Sequence, residues 1–207
     1  MVFEYKGVKL HWFGHDCFRI EGSKSIIIDP FKIQRQKADI VLVTHDHFDH
    51  CSVDDIEKIE YKTLIASVAC KQLKAKFVKP GDIVDVDNVK IKAVPAYNID
   101  KFRSPGQVFH PKQLNHVGFI VELDGVSIYH AGDTDFIPEM RDVKVDIALL
   151  PVSGTYVMTV EEAAKAVEVI KPKIAIPMHF GSIVGSNNDA EKFKKLAKSK
   201  VVMLQLS

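Results

Sequence analysis

Apolar residues in this chain come in short runs of strand length, and turn-forming residues separate them. In the first third the runs cover residues 8–13, 17–20, 25–29 and 40–44, punctuated by Gly7, Gly14, Gly22 and Ser23. Ile40-Val41-Leu42-Val43 is apolar throughout, as a strand buried on both faces should be. Ser52 followed by Asp55 marks a helix start, and Ile56 and Ile59 extend an apolar stripe, which predicts a helix over 52–60. A strand at 64–67, a short helix at 69–75 and a hairpin of 83–86 with 89–94 through Asp87-Asn88 follow. Residues 97–115 show no periodicity and contain Pro105, Gly106 and Pro111, and so long an irregular stretch in a compact chain is functional or mobile.

The second half repeats the plan. Residues 117–123 and 126–130 form a hairpin through Asp124-Gly125, and 146–150 is a buried strand. Thr159 with Glu162 caps a helix that runs to Ile170 and ends at Lys171-Pro172. A strand at 173–177, a helix at 190–198 and a last apolar run at 201–206 close the chain. Each half is strand-rich with helices at its end, so two sheets facing each other with helices outside would bury both. No linker or change of composition divides residues 1–207, which predicts one domain.

Composition removes several classes of function. With 46% hydrophobic and 27% charged residues the chain is an ordinary globular sequence. A net charge of +1 gives no electrostatic case for nucleic acid, a membrane surface or a strongly acidic partner. The lysines of 71–79 and 192–200 read as solvated helix faces. Cys17, Cys51 and Cys70 are odd in number and unpatterned, there is no bilayer-length apolar run, and the first residues are not a signal peptide. The expectation is a cytoplasmic protein with a small-molecule substrate and no membrane partner. Nucleic acid is disfavoured as a partner, and self-association is left open.

One heptapeptide carries chemistry. Thr44-His45-Asp46-His47-Phe48-Asp49-His50 lies between the buried strand and the capped helix. In extended chain His45 and His47 point the same way and can share one cation, while Asp49 and His50, where the chain turns, can reach a second. Imidazoles and a carboxylate suit zinc, iron or manganese, and the lack of a thiolate argues against a closed structural zinc site. Cys51, next in the chain, reads as a small packing residue.

His-x-His-x-Asp-His after a strand resembles the signature of the metallo-β-lactamase superfamily. Three further segments follow in that superfamily's order: Ser25-Ile26-Ile27-Ile28-Asp29, Tyr129-His130-Ala131-Gly132-Asp133-Thr134 and Ile176-Pro177-Met178-His179. Trp12-Phe13-Gly14-His15 and the Gly132-Asp133 segment resemble the branch of the ascorbate-6-phosphate lactonase. The resemblance implies an α/β fold, a four-layer αββα sandwich, holding one or two divalent ions, zinc first, with manganese, iron or nickel as alternatives. His45 and His47 would hold the first ion, Asp49, His50 and His179 the second, and Asp133 would bridge them. Asp29 would brace the metal loop, and Asp49 would also orient the attacking hydroxide.

Relatives in this branch carry a further histidine ligand where this chain has Tyr97-Asn98. His110, in Phe109-His110-Pro111-Lys112, is the favoured replacement, and His116, against the apolar run 117–123, reads as structural. Tyr97 and Lys112 are candidates for an anionic substrate group or a developing oxyanion. The implied activity is metal-dependent hydrolysis of a small, anionic ester, lactone or phosphodiester. A nuclease lacks an inserted domain or a basic balance here, and a non-hydrolytic metal-binding role is the remaining alternative.

Overall fold

The computed structural model describes residues 2–207. In Ile26-Ile27-Ile28 and Ile40-Val41-Leu42-Val43 the side chains alternate between two cores. Ile26, Ile28, Ile40 and Leu42 point between the sheets, while Ile27, Val41 and Val43 point outward beneath a second layer. This is why both faces of these strands are apolar.

The first sheet has seven strands in sequence order: β1 (Phe3–Tyr5), β2 (Val8–Gly14), β3 (Cys17–Glu21), β4 (Ser25–Ile28), β5 (Gln36–Val43), β6 (Ile59–Ser67) and β7 (Lys76–Val78). Pairing is antiparallel from β1 to β4 and parallel from β4 to β7. Its outer face is covered by loops and by the single turn of α1 (Val53–Ile56).

The second sheet also has seven strands. β8 (Ile83–Val86), β9 (Val89–Pro95), β12 (Val117–Leu123) and β13 (Val126–His130) pair antiparallel, and β14 (Ile147–Pro151), β15 (Ile174–Met178) and β16 (Lys200–Val201) continue it in parallel. β10 (Phe102–Ser104) and β11 (Gln107–Val108) form a separate small hairpin within the irregular stretch. α2 (Val160–Ile170) and α3 (Asn187–Leu196) pack on each other and on β14 and β15. Thr159 closes the expected capping box with Glu162, and Lys171 ends α2 in a left-handed conformation. The result is the mixed α/β arrangement of two large sheets that face each other across one core.

Several expected elements differ. The helix predicted over 52–60 stops at Ile56, because Ile59 and Glu60 instead pair with Gln36 and Lys37 as the start of β6. No helix forms over 69–75. The Ser67 hydroxyl accepts from Ala69 N, and Cys70 N and Leu73 N bond three residues back, so the segment is a chain of turns. The last apolar run keeps only a two-residue strand and an isolated bridge between Leu206 and Trp12. No helix among the described residues is long and apolar enough to cross a membrane.

Candidate metal centre

The chemistry-bearing residues collect where parallel strands end. β5 delivers Thr44 to His50, β13 delivers Asp133 and β15 delivers His179, and the carboxyl ends of strands are where open sheets expose side chains to ligands. Asp133 follows Gly132, whose φ is +63°. A β-carbon there would sit 2.9 Å from the Val117 carbonyl oxygen and 3.3 Å from the Thr44 side chain, so only glycine lets β13 turn this close to β5.

The donors form two overlapping clusters. His45, His47, His110 and Asp133 offer ligand atoms within 4.8 Å of one another, as do His15, Asp49, His50 and His179. Asp133 lies between them. Its Oδ2 is 3.3 Å from Nε2 of His110 and of His179 and 3.9 Å from His45 Nε2, and its Oδ1 is 3.3 Å from His50 Nε2.

Four of the buried imidazoles are held by the nitrogen that faces away from Asp133. The Thr44 hydroxyl donates to Asp29 Oδ2 at 2.6 Å and therefore accepts from His45 Nδ1 at 3.0 Å. Asp29 also accepts from Thr44 N at 2.8 Å and faces His50 Nδ1 at 2.8 Å. Ser153 donates to the Thr155 carbonyl and so accepts from His179 Nδ1 at 2.9 Å. Asn98 Oδ1 accepts from the backbone N–H of His110 at 2.9 Å and from its Nδ1 at 2.8 Å. The Asn98 amide cannot be turned over, since its Nδ2 donates to Asp135 Oδ1 and to the Tyr156 carbonyl. These bonds put the proton on Nδ1 and leave Nε2 bare, the arrangement that metal-ligating histidines require.

The fit to cations can be tested on these atoms. Nε2 of His45, His50 and His179 and Oδ1 of Asp133 are buried without a hydrogen-bond partner. Four such atoms aimed at one small volume are too costly to be incidental, and a cation would satisfy them together. Burial disfavours the charged form of five of these groups. It pushes Asp133 up to about 8 and Asp16 up to about 7, drives His110 down to about 2, and holds His45 and His50 well below the usual imidazole range. The protein alone does not neutralise the site, and a dication would favour ionised Asp133 and neutral histidines at once. Asp49 differs: burial raises its carboxyl, but the His15 hydrogen bond and charge outweigh it and the net shift is downward.

The other sequence candidates fall as follows. Asp29 sits behind His45 and His50. His116 lies outside the donor clusters, with Nε2 3.3 Å from Asp46 Oδ1. Cys51 is buried, and its sulfur accepts from Gln72 Nε2. Tyr97 and Lys112 are tied to Glu139, which accepts from the Tyr97 hydroxyl at 3.0 Å and from Lys112 Nζ at 2.8 Å. Both line a neighbouring groove of about 670 Å³ with Asp46, His47 and Arg103. The pocket that opens onto Asp49 and Asp133, about 280 Å³, adjoins this groove and shares His47 and Phe109 with it.

Asp16, Asn98 and Ser153, which sequence reasoning passed over, act here beside His15, which the sequence leaves between a supporting and a structural role. His15 sits in the turn between β2 and β3 at φ +51° and places Nε2 3.0 Å from Asp49 Oδ2. Asp16, with both oxygens unpartnered, lies beneath His50 and His179. Asn98 and Ser153 hold two of the imidazoles. Only His15 had a signal, its place beside the Trp12-Phe13-Gly14 motif.

Residues 9–179 match the family described as the beta-lactamase superfamily domain. The chain belongs to the metallo-β-lactamase superfamily. A metal-dependent hydrolase of Pyrococcus abyssi is 39% identical, with 96% of each chain aligned. Another, of Thermoplasma acidophilum, is 35% identical over 93% of this chain and 92% of its own. A crystal structure from Parabacteroides distasonis, assigned to the metal-dependent hydrolases, superposes with a TM-score of 0.85 at 34% identity, covering 100% of this chain and 98% of that one. The two-sheet superfamily fold thus extends over the whole chain.

Proposed function

We propose that this metal-dependent hydrolase of the metallo-β-lactamase superfamily cleaves a small ester, lactone or phosphodiester. The observation that carries the reading is the convergence of bare, buried imidazole nitrogens on the two oxygens of Asp133. His45, His47, His110 and Asp133 would hold one cation, and Asp49, His50, His179 and Asp133 the other. Divalent ions held there would supply Lewis-acid polarisation of a carbonyl or phosphoryl oxygen and would acidify water. Zinc suits this donor set, and manganese, iron or nickel remain candidates.

The chain's own groups then divide the work. Asp49 reaches the pocket and is kept ionised by His15, so its carboxylate can orient a water and accept its proton. Asp29, Asn98 and Ser153 keep the imidazoles in the ligating tautomer. The small pocket suits a small molecule rather than a polymer, and the resemblance to the ascorbate-6-phosphate lactonase branch keeps a lactone among the substrates. Three free, buried cysteines fit a reducing cytoplasm. The test is elemental analysis after chelation and reconstitution, followed by a screen of lactones, esters and phosphodiesters. Between one and two equivalents of metal and turnover of at least one class are expected. Less than a tenth of an equivalent at saturating zinc and manganese would overturn the reading.

A further inference from the structure

The pocket above Asp49 and Asp133 has walls unlike its floor. Its floor is His47, Asp49, His110 and Asp133, and its walls are Phe48, Phe109, Tyr156 and Ile183, drawn from four separate loops. No lysine or arginine lines it. Phe48, on the metal loop itself, is 70% exposed and meets Phe31 only edge-on, with ring centroids 5.9 Å apart. At the mouth of a pocket, so large an exposed ring is free to pack on a bound group. Opposite it, Tyr156 is held at φ +70°, a conformation that costs a non-glycine residue on the order of 1 kcal/mol or more. Its carbonyl is fixed there by Asn98, and its ring packs edge-on against Phe109 at 4.5 Å. The strain therefore serves to hold an aromatic wall in place.

We propose that the substrate's group flanking the scissile bond is apolar, uncharged and about the size of one aromatic ring, and that it is gripped between Phe48, Phe109, Tyr156 and Ile183. Size agrees: a cavity of roughly 150 Å³ accepts benzene, and 280 Å³ leaves room for a ring and the bond to be cut. Charge agrees as well. A carboxylate on that flank would lose its hydration against apolar walls with no cation to replace it. Lys112 and Arg103 line the adjoining groove instead, and Lys112 is paired with Glu139. The inference refines the proposed hydrolysis and replaces the expectation of an anionic substrate on this side of the bond.

The test uses metal-loaded protein and two acetate esters that differ by one para-carboxylate, phenyl acetate and 4-acetoxybenzoate, with the neutral methyl ester of the second as the control for size. Phenyl acetate should have at least a ten-fold higher kcat/KM, and Phe48→Ala or Ile183→Ala should raise its KM several-fold and shrink that ratio. A readout free of turnover is the NMR shift of the Ile183 methyl on adding the slow amide analogue acetanilide, compared with 4-acetamidobenzoate. Only acetanilide should move it, and Phe48→Ala should abolish the effect. Equal rates for the two esters, unchanged by Phe48→Ala, would overturn the apolar flank while leaving hydrolysis standing. If neither ester is cut but acetanilide shifts the methyl, the flank holds and the reaction class must change. If neither ester is cut and the methyl does not respond, the inference falls.

Discussion

The two halves of the candidate metal centre meet at Asp133 but are built differently. In the outer half His45 and His110 lean on neutral groups, the Thr44 hydroxyl and the Asn98 amide, and the half-buried ring of His47 has only His110 as a hydrogen-bond neighbour among the described residues. His110 arrives on the irregular stretch, which Asn98 staples to the Asp133 loop through Asp135. In the inner half His50 leans on the carboxylate of Asp29, Asp49 on His15, and His179 on Ser153, with Asp16 beneath. A carboxylate behind an imidazole raises its basicity more than an amide does, and strand ends hold position better than a loop. The inner half should therefore bind its ion more tightly, and the outer half should be the first to empty.

The most damaging change is at the shared residue. Asp133→Asn removes the charge both halves use and should lower turnover by ~10³-fold, the several kcal/mol that charge stabilisation at a metal site supplies. Metal titration should show both sites weakened, and an unchanged first site would mean Asp133 does not bridge. Asp49→Asn should leave less than about a tenth of the wild-type rate with the fold intact, judged by circular dichroism. Metal content should fall in the inner half alone.

His110→Ala should weaken the outer site by about 10-fold or more, whereas His116→Ala should leave it unchanged. The reverse result would transfer the ligand role to His116. The smallest effect concerns His130, which supports the inner half by donating Nε2–H to the Asp16 carbonyl at 2.9 Å and accepting from Gly132 N at 3.3 Å. Burial lowers its pKa from 6.5 to about 4. Between those values the unfolded chain binds a proton that the folded chain refuses. This stability is complete above pH 6.5 and is lost as pH falls towards 4, at up to ~1.4 kcal/mol per pH unit. In metal-free protein, urea melts at several pH values should show this slope, and His130→Gln should flatten it by about one proton.

What the sequence made legible is local. The heptapeptide, the Gly132-Asp133 turn and the Thr159–Glu162 box are each contained in a few residues and were read with their elements. The helices over 57–60 and 69–75 were misread because β6 pairing with β5 and the Ser67 turn override short helical patterns. Asn98, Ser153 and Asp16 were invisible because their meaning lies in neighbours far along the chain: Asn98 beside Asp135, Ser153 beside His179, and Asp16 beneath His50 and His179. An asparagine in a loop announces nothing until the imidazole it holds is known.

The origin of the donors has a mechanical consequence. His45, His47, Asp49 and His50 hang from the first sheet, Asp133 and His179 hang from the second, and His110 sits on the irregular stretch that links β9 to β12 of that second sheet. At this seam the sheets also touch directly, with Val117 N bonding Thr44 O at 3.1 Å. A cation bound here is a rivet through two plates. Loading it should slow hydrogen exchange along the facing edges of β5 and β12, far beyond the ligands themselves, and raise the melting temperature with the logarithm of free metal concentration. Chelation would then loosen the join between the sheets as well as the chemistry at its end.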